Sequence, residues 1–480
     1  MHALEASAAR ISRKEQALIR CHRWLLLWLA AMTACDKRPP PPVVEPAPAE
    51  TINGTERLGW TQAAADAVEL GTFRYALYVD GGRVELGGVS CTPLSAAPEY
   101  SCAARLPSMS AGSHTLELAA FVVDGTLLES GRSAPLRVTV TPAAAPAAPP
   151  STRWPTGLEV VTTDRVRLRL EQVADGLVDP TDLAFAPDGR VFIAEHKGTV
   201  RVFHDGRLDS EPALSLPATG SNPEHLLALA VDPGFERTHL VYAIYTTTSR
   251  SGDAMFSLAR FREASNTLAD RIILLDEIRA SPGGAAASLR FGADGKLFAA
   301  FDDGGVEKWG GDLSSPNGKI LRLNPDGTTP ADQAGGTPLY SYAYRSPGGL
   351  DWSAPSNTLW IADRDLPGAG RLSAVASERP RIRGVVRGRF ALPRGTVPSA
   401  VASYRGGSIP AFRGNLLIAS NEGRHLLRVQ LDPLQPTHVV ATERLLQDRI
   451  GGVRLVAVGP DGAIWVANAH AVGKLVARSF

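Results

Sequence analysis

Residues 183–203 read LAFAPDGRVFIAEHKGTVRVF: a short strand, a Pro-Asp-Gly turn, a second strand ending on a polar residue, and a third strand. Pro, Asp and Gly together mark a tight reversal, and the apolar runs on either side are short and lack helical periodicity. The unit returns along the chain. LAVDPGFERTHLVYAIYT starts at Leu229, LRFGADGKLFAAFDDGG at Leu289, LDWSAPSNTLWIADRD at Leu350, FRGNLLIASNEGRHLLRV at Phe412 and LVAVGPDGAIWVANAHAVGKLV at Leu455. Six copies, spaced by roughly 45 to 60 residues, read as four-stranded blades that close into a ring and so remove free sheet edges. The expected fold is all-β, a six-bladed β-propeller over residues 157–480. The strand VRLRLEQV, from Val166, is expected to complete the last blade.

Ahead of the ring lies an Ala/Pro-rich linker, residues 142–156. Residues 52–141 alternate apolar and polar positions in FRYALYVDGGRVELGG, HTLELAAFVVDGTLLES and APLRVTVTP, with Asp-Gly turns between strands. That pattern fits a small β-sandwich resembling fibronectin type III or immunoglobulin-like domains. Further upstream, KRPPPPVVEPAPAE makes a Pro-rich tether over residues 35–51. Residues 1–34 have the form of an export leader. Arg10, Arg13, Lys14, Arg20 and Arg23 precede WLLLWLAAMTA, an apolar run too short to span a bilayer. Its end, Met32-Thr33-Ala34-Cys35, resembles a bacterial lipobox, which makes Cys35 the lipidated residue; a plain secretory signal is the alternative.

The formal net charge is +1, without a basic or acidic block, which gives no support to a nucleic-acid partner. Of four cysteines, Cys21 belongs to the leader and Cys35 to the lipid. Cys91 and Cys102 are left, and in an exported sandwich they read as a disulfide.

GLVDPTDLAFAPDGRVFIAEHKGTVRV, LRFGADGKLF, LSSPNGKILRLNPDGTTP, YAYRSPGGLDW, FRGNLLIAS and VAVGPDGAIWVAN resemble the soluble PQQ-dependent glucose/sorbosone dehydrogenases, over about residues 157–480. The resemblance implies pyrroloquinoline quinone (PQQ) over the central funnel, with calcium, and a histidine that takes a proton as hydride leaves the sugar. Carried over residue by residue, much of that site is altered. The catalytic histidine falls on Gly284, which cannot accept a proton. Asp303 matches the aspartate that orients that histidine, and Arg345 and Arg454 match cofactor-binding arginines. Ser346 and Gly348 replace amide side chains, Glu422 replaces a lysine, and Gly452 replaces an arginine. In the calcium loop, here DRDLPGAGRL, carboxylates have become Gly370 and Arg371. A quinone with three carboxylates needs cations and amides around it. The resemblance therefore implies an aldose oxidoreductase, and the residues imply a degenerate one.

Two further patterns stay open. The second strand of each copy ends in polar residues: Glu195, Asp302 and Asp303, Asp363, Asn421 and Glu422, Asn468. Glu195, Asp303, Asp363 and Glu422 are candidate calcium ligands, since converging hard oxygens suit that ion, as in propeller lactonases with one metal. The same residues serve equally as turn formers. His225, with Glu224 beside it, is a candidate displaced acid/base, or an exposed loop residue, as are His196 and His470. Arg345 and Arg454 either hold an anion or fasten neighbouring blades. The expected activity is ligand or partner binding at the bacterial envelope. Alternatives are an active sugar dehydrogenase with a displaced base and a metal-dependent hydrolase. Expected partners are a sugar or other small molecule, an envelope protein or glycan, and the membrane through the lipid.

Overall fold

The computed structural model describes residues 3–6, 50–52, 56–94, 98–107, 109, 112–124, 126–141, 154–155, 157–216, 225–249, 251–282, 284–354, 356–366, 368–376 and 385–477. The chain divides into two compact units, Met1–Ala144 and Ala145–Phe480. Cys35, the rest of the expected lipobox and Glu224 lie outside the described residues.

The first unit is a β-sandwich. One sheet holds Arg57–Ala63, Glu99–Arg105 and Ser90–Pro93, with Ala3–Ala6 along its edge. The other holds Glu50–Ile52, Leu136–Val140, Gly112–Asp124, Arg74–Val79 and Gly82–Leu86, with Thr126–Glu129 beside Gly112–Asp124. Alternation along these strands sends one face inward. Leu58 and Trp60 meet Tyr75, Leu77, Leu118 and Val138 in the core, with the Trp60 and Tyr75 rings 4.7 Å apart. Cys91 stands directly across from Cys102 on the neighbouring strand, and the two form the expected disulfide.

The second unit is the six-bladed propeller. Its inner strands are Pro180–Phe185, Leu226–Val231, Ala287–Phe291, Pro347–Ser353, Ala400–Ser403 and Leu455–Val458, and we number the blades one to six in that order. Each packs beside the next, and the last returns to the first. Second strands such as Val191–Glu195, Leu297–Phe301 and Leu416–Ser420 are buried at every position, because sheets cover both of their faces. That is why they read as unbroken apolar runs. Arg167–Asp175 pairs with Ala471–Ala477, so both ends of the ring meet in blade six, as the sequence led us to expect.

The Asp-Gly turns are built alike in three blades. Gly189, Gly295 and Gly462 have φ of +89°, +70° and +74°, a region that costs a glycine little. In each, the preceding aspartate accepts the backbone N–H two residues on: Asp188 from Arg190 at 3.0 Å, Asp294 from Lys296 at 3.1 Å, Asp461 from Ala463 at 3.1 Å. Between the ends of the channel, Asp182 of blade one holds Arg290 of blade three by two bonds of 2.7 and 2.8 Å. It also accepts the Leu229 N–H of blade two at 3.0 Å, so three blades are tied at the axis.

Candidate functional site

Inner strands start, and second strands finish, at one mouth of the channel, because the two are antiparallel: Pro180 pairs with Glu195, and Pro347 with Asp363. All six blades line a recess of about 200 Å³ there. Thr181, Leu227, Ala286, Ser346, Pro398 and Arg454 represent one blade or inter-blade segment each, and His196, Arg364, Asn421 and Glu422 fill the rim. His196, Asn421, Glu422 and Arg454 were visible in the sequence as candidates. Arg364 was missed, although it follows directly on a strand-end aspartate.

The strand-end carboxylates share this mouth but do not converge. Glu195 is buried and accepts the Val178 N–H at 2.7 Å and the Thr199 hydroxyl, both within its own surroundings in blade one. Asp302 is fully buried, accepting N–H groups from Ala286 at 2.9 Å and Gly304 at 2.8 Å, and burial pushes its carboxyl up to about 6. Asp303 caps the Gly305 N–H at 2.9 Å, and burial raises its carboxyl too. Asp363 is fully buried under the N–H of Ser346 and the guanidinium of Arg371. Asn468 accepts from His470 and Ala471 and donates to the Ile450 carbonyl. Glu422 is 55% exposed and lies 3.4 Å from Arg364. Among the described residues, no three His, Cys, Asp or Glu side chains come together in a way that would hold a metal. Glu195, Asp303, Asp363 and Glu422, expected as one ring of ligands, each serve a different local purpose. The physical reason is that a buried carboxylate takes the nearest orphan N–H groups, and loops leaving a strand supply them.

The cations are similarly engaged. Arg454, ahead of blade six, lies 3.2 Å from Asp179 at the entry to blade one, and its Nε faces the Pro180 carbonyl at 3.3 Å. It therefore fastens the ring closure, one of its two expected roles. Arg345 is exposed and donates to the Asp365 carbonyl at 3.0 Å. Gly452 is backed by Asn421: a Cβ there would lie 2.1 Å from Oδ1, so an arginine side chain has no room. Gly284 faces open space with φ +131°, a backbone that disfavours any other residue.

His196 and His225 stack in parallel, ring centres 4.1 Å apart and planes within 9°. The backbone N–H of His225 donates to the Thr246 hydroxyl at 3.0 Å, and its ring Nδ1 lies 3.3 Å from the His196 carbonyl. His196 faces the recess, and burial, then His225 and Arg454, push its imidazole down to about 4. His470 is exposed. The sequence set these histidines in separate loops and gave no sign that two of them touch.

A funnel of six blades with a recess at the strand-end mouth defines the class: a propeller built around an axial channel. The family is narrower still. The glucose/sorbosone dehydrogenase profile matches residues 177–368 and 372–477, and the chain belongs to that family. The aldose sugar dehydrogenase YliI of Escherichia coli is 23% identical over 344 residues, 64% of this chain and 92% of that protein. The apo form of the soluble aldose sugar dehydrogenase from E. coli superposes with a TM-score of 0.58 at 22% identity, over 65% of this chain and 100% of that one. The PQQ-bound aldose sugar dehydrogenase of Streptomyces coelicolor gives 0.54 at 22% identity, over 68% and 100%.

Proposed function

We propose that this chain is a bacterial envelope protein whose propeller mouth binds a small molecule, a glycan or a protein partner without PQQ-dependent sugar oxidation. The charge balance of the mouth carries this reading. Among the described residues, both arginines that line it are matched by carboxylates, Arg454 by Asp179 at 3.2 Å and Arg364 by Glu422 at 3.4 Å. A tricarboxylate quinone needs cations not already neutralised. Gly452, closed off by Asn421, and Glu422, in place of a lysine, remove two cationic contacts that the resemblance implies, and Gly284 removes the proton acceptor. The residues present do not fit PQQ. Losing two charge-assisted contacts, at about 1.5–3 kcal/mol each, weakens binding by roughly two to four powers of ten. Calorimetry with PQQ and calcium, and dye reduction with a panel of aldoses, are expected to show no micromolar binding and no turnover. Micromolar binding accompanied by aldose oxidation would falsify the proposal.

A second reading rests on the position of His196, whose imidazole faces the recess and is kept neutral by burial, although a base pushed down to about 4 is a weak one. In that reading the base has moved from position 284 to position 196. His196→Gln then abolishes whatever aldose turnover the wild type shows.

The envelope assignment rests on Met32-Thr33-Ala34-Cys35 and the Pro-rich tether. Among the described residues no helix is long and apolar enough to cross a membrane. Cys35→Ala is expected to release the protein from the membrane fraction or block its processing. An unchanged distribution and gel mobility count against the anchor.

A further inference from the structure

Blade four differs from its neighbours at the mouth. Its second strand, Thr358–Leu366, runs nine residues, whereas those of blades one, three and five run five. The extra length pairs with the start of the third strand, Arg364 with Gly370 and Leu366 with Ala369, through a turn in which Gly368 has φ +72°. DRDLPGAGRL, expected as a loop, is therefore a β-hairpin at the rim. It lies close against the segment leading into blade five. The Leu392 N–H donates to the Gly370 carbonyl at 2.8 Å, and a Cβ on Gly370 would lie 2.4 Å from Pro398 and 2.7 Å from the Thr396 carbonyl.

Two acidic side chains, Asp363 and Asp365, lie on one strand of this hairpin, with an irregularity in the pairing between Arg364 and Leu366, and both are reached by one cation. Arg371, on the other strand, is directly opposite Asp363. Its guanidinium reaches Asp363 at 2.6 Å and Asp365 at 3.1 Å. Asp363 has no exposed surface, and the other donors to it are the backbone N–H groups of Arg345 and Ser346. A carboxylate at that depth either takes up a proton or is compensated by a positive charge, and Arg371 is placed to supply the charge.

We infer that Arg371 supplies, from within the chain, the positive charge that a divalent cation would otherwise bring to the blade-four rim, so the hairpin keeps its shape without metal. Calcium, expected at DRDLPGAGRL by family resemblance, does not fit there, because the guanidinium already bridges the carboxylates. The same hairpin carries Arg364 to the recess opposite Glu422, which makes Arg371 a positioning residue for the mouth.

Thermal unfolding of the purified wild type in EDTA and in millimolar calcium, beside Arg371→Met and Arg371→Lys, tests this. The wild type is expected to melt at the same temperature in both solutions. Arg371→Met removes the charge at similar length, and its melting temperature is expected to fall by roughly 5–10 °C. Arg371→Lys, which keeps a positive charge, is expected to recover at least half of that loss. Should the Met variant fail to fold, the wild-type calcium comparison and the Lys variant still decide. A wild type stabilised by calcium overturns the inference, as do Met and Lys variants with equal losses.

Discussion

The two ends of the channel are made of the same strands and obey different rules. At the turn end, blades one, three and six repeat a single device: an aspartate capping the N–H two residues on, and a glycine at positive φ. At the mouth the strand-end side chains of blades one, three, four and five each accept an N–H from the segment entering their own blade, but their remaining partners differ. Glu195 ties down Val178 and Thr199, Asp302 gathers the loop that contains Gly284, and Asp363 is matched by Arg371, while Glu422 faces outward to Arg364. The turn end has to do one thing six times, which is to reverse a chain. The mouth has to shape a recess with six different walls. Repetition within this chain marks where geometry is the requirement, and divergence marks the end where we propose that a ligand is met.

The largest effect we expect from pressing on this contrast is at Asp302. Burial raises its carboxyl to about 6, against about 3.8 for a free aspartate, even with N–H donors from Ala286, Gly304 and Ser281. The native state thus holds the proton to higher pH than the unfolded chain does. Stability from this group is fully present below about pH 4 and is lost as pH rises through 6, by on the order of 2–3 kcal/mol. Asp302→Asn cannot titrate, so the stability difference between wild type and variant should shrink, or change sign in the variant's favour, between pH 4 and 7. Denaturant unfolding at both values reads this. A difference independent of pH would mean that the carboxylate is better solvated than its burial indicates.

The sequence exposed what local chemistry decides. Blade count, the closing strand from Val166 and the Cys91–Cys102 bridge all follow from alternation, turn residues and cysteine number, which act over a few neighbours. The mouth was legible only as an inventory. Strand-end positions told us that Glu195, Asp302, Asp363 and Glu422 face one opening, but not which N–H group each would take. Pairs such as Asp182 with Arg290, 108 residues apart, or Arg428 with Asp164, 264 apart, depend on how blades meet and leave no local trace. The blade-four hairpin is an intermediate case. Alternating Asp363 and Asp365, a Pro-Gly turn and Arg371 do spell a hairpin with a cross-strand ion pair, but a calcium loop expected from resemblance hid it.

The smallest expected effects lie at the turn end and sharpen the contrast by their evenness. Gly189 and Gly295 hold φ of +89° and +70°, and a Cβ at either meets nothing within 4 Å. Alanine there costs only the strain of a left-handed backbone, about 1 kcal/mol. Gly189→Ala and Gly295→Ala should therefore lower unfolding free energy by the same amount, although the turns belong to different blades. Gly462 has a similar φ but other surroundings: a Cβ would lie 2.7 Å from Ser408 Oγ and 3.3 Å from the Ser408 N. Its replacement has to displace Ser408, whose hydroxyl donates to the Asp461 carbonyl at 2.7 Å in the same turn. Gly462→Ala should thus cost more than the other two by about the worth of one hydrogen bond, again about 1 kcal/mol. Urea unfolding of the three variants tests the order. Unequal costs at 189 and 295 would show that the turn end, like the mouth, is tuned blade by blade.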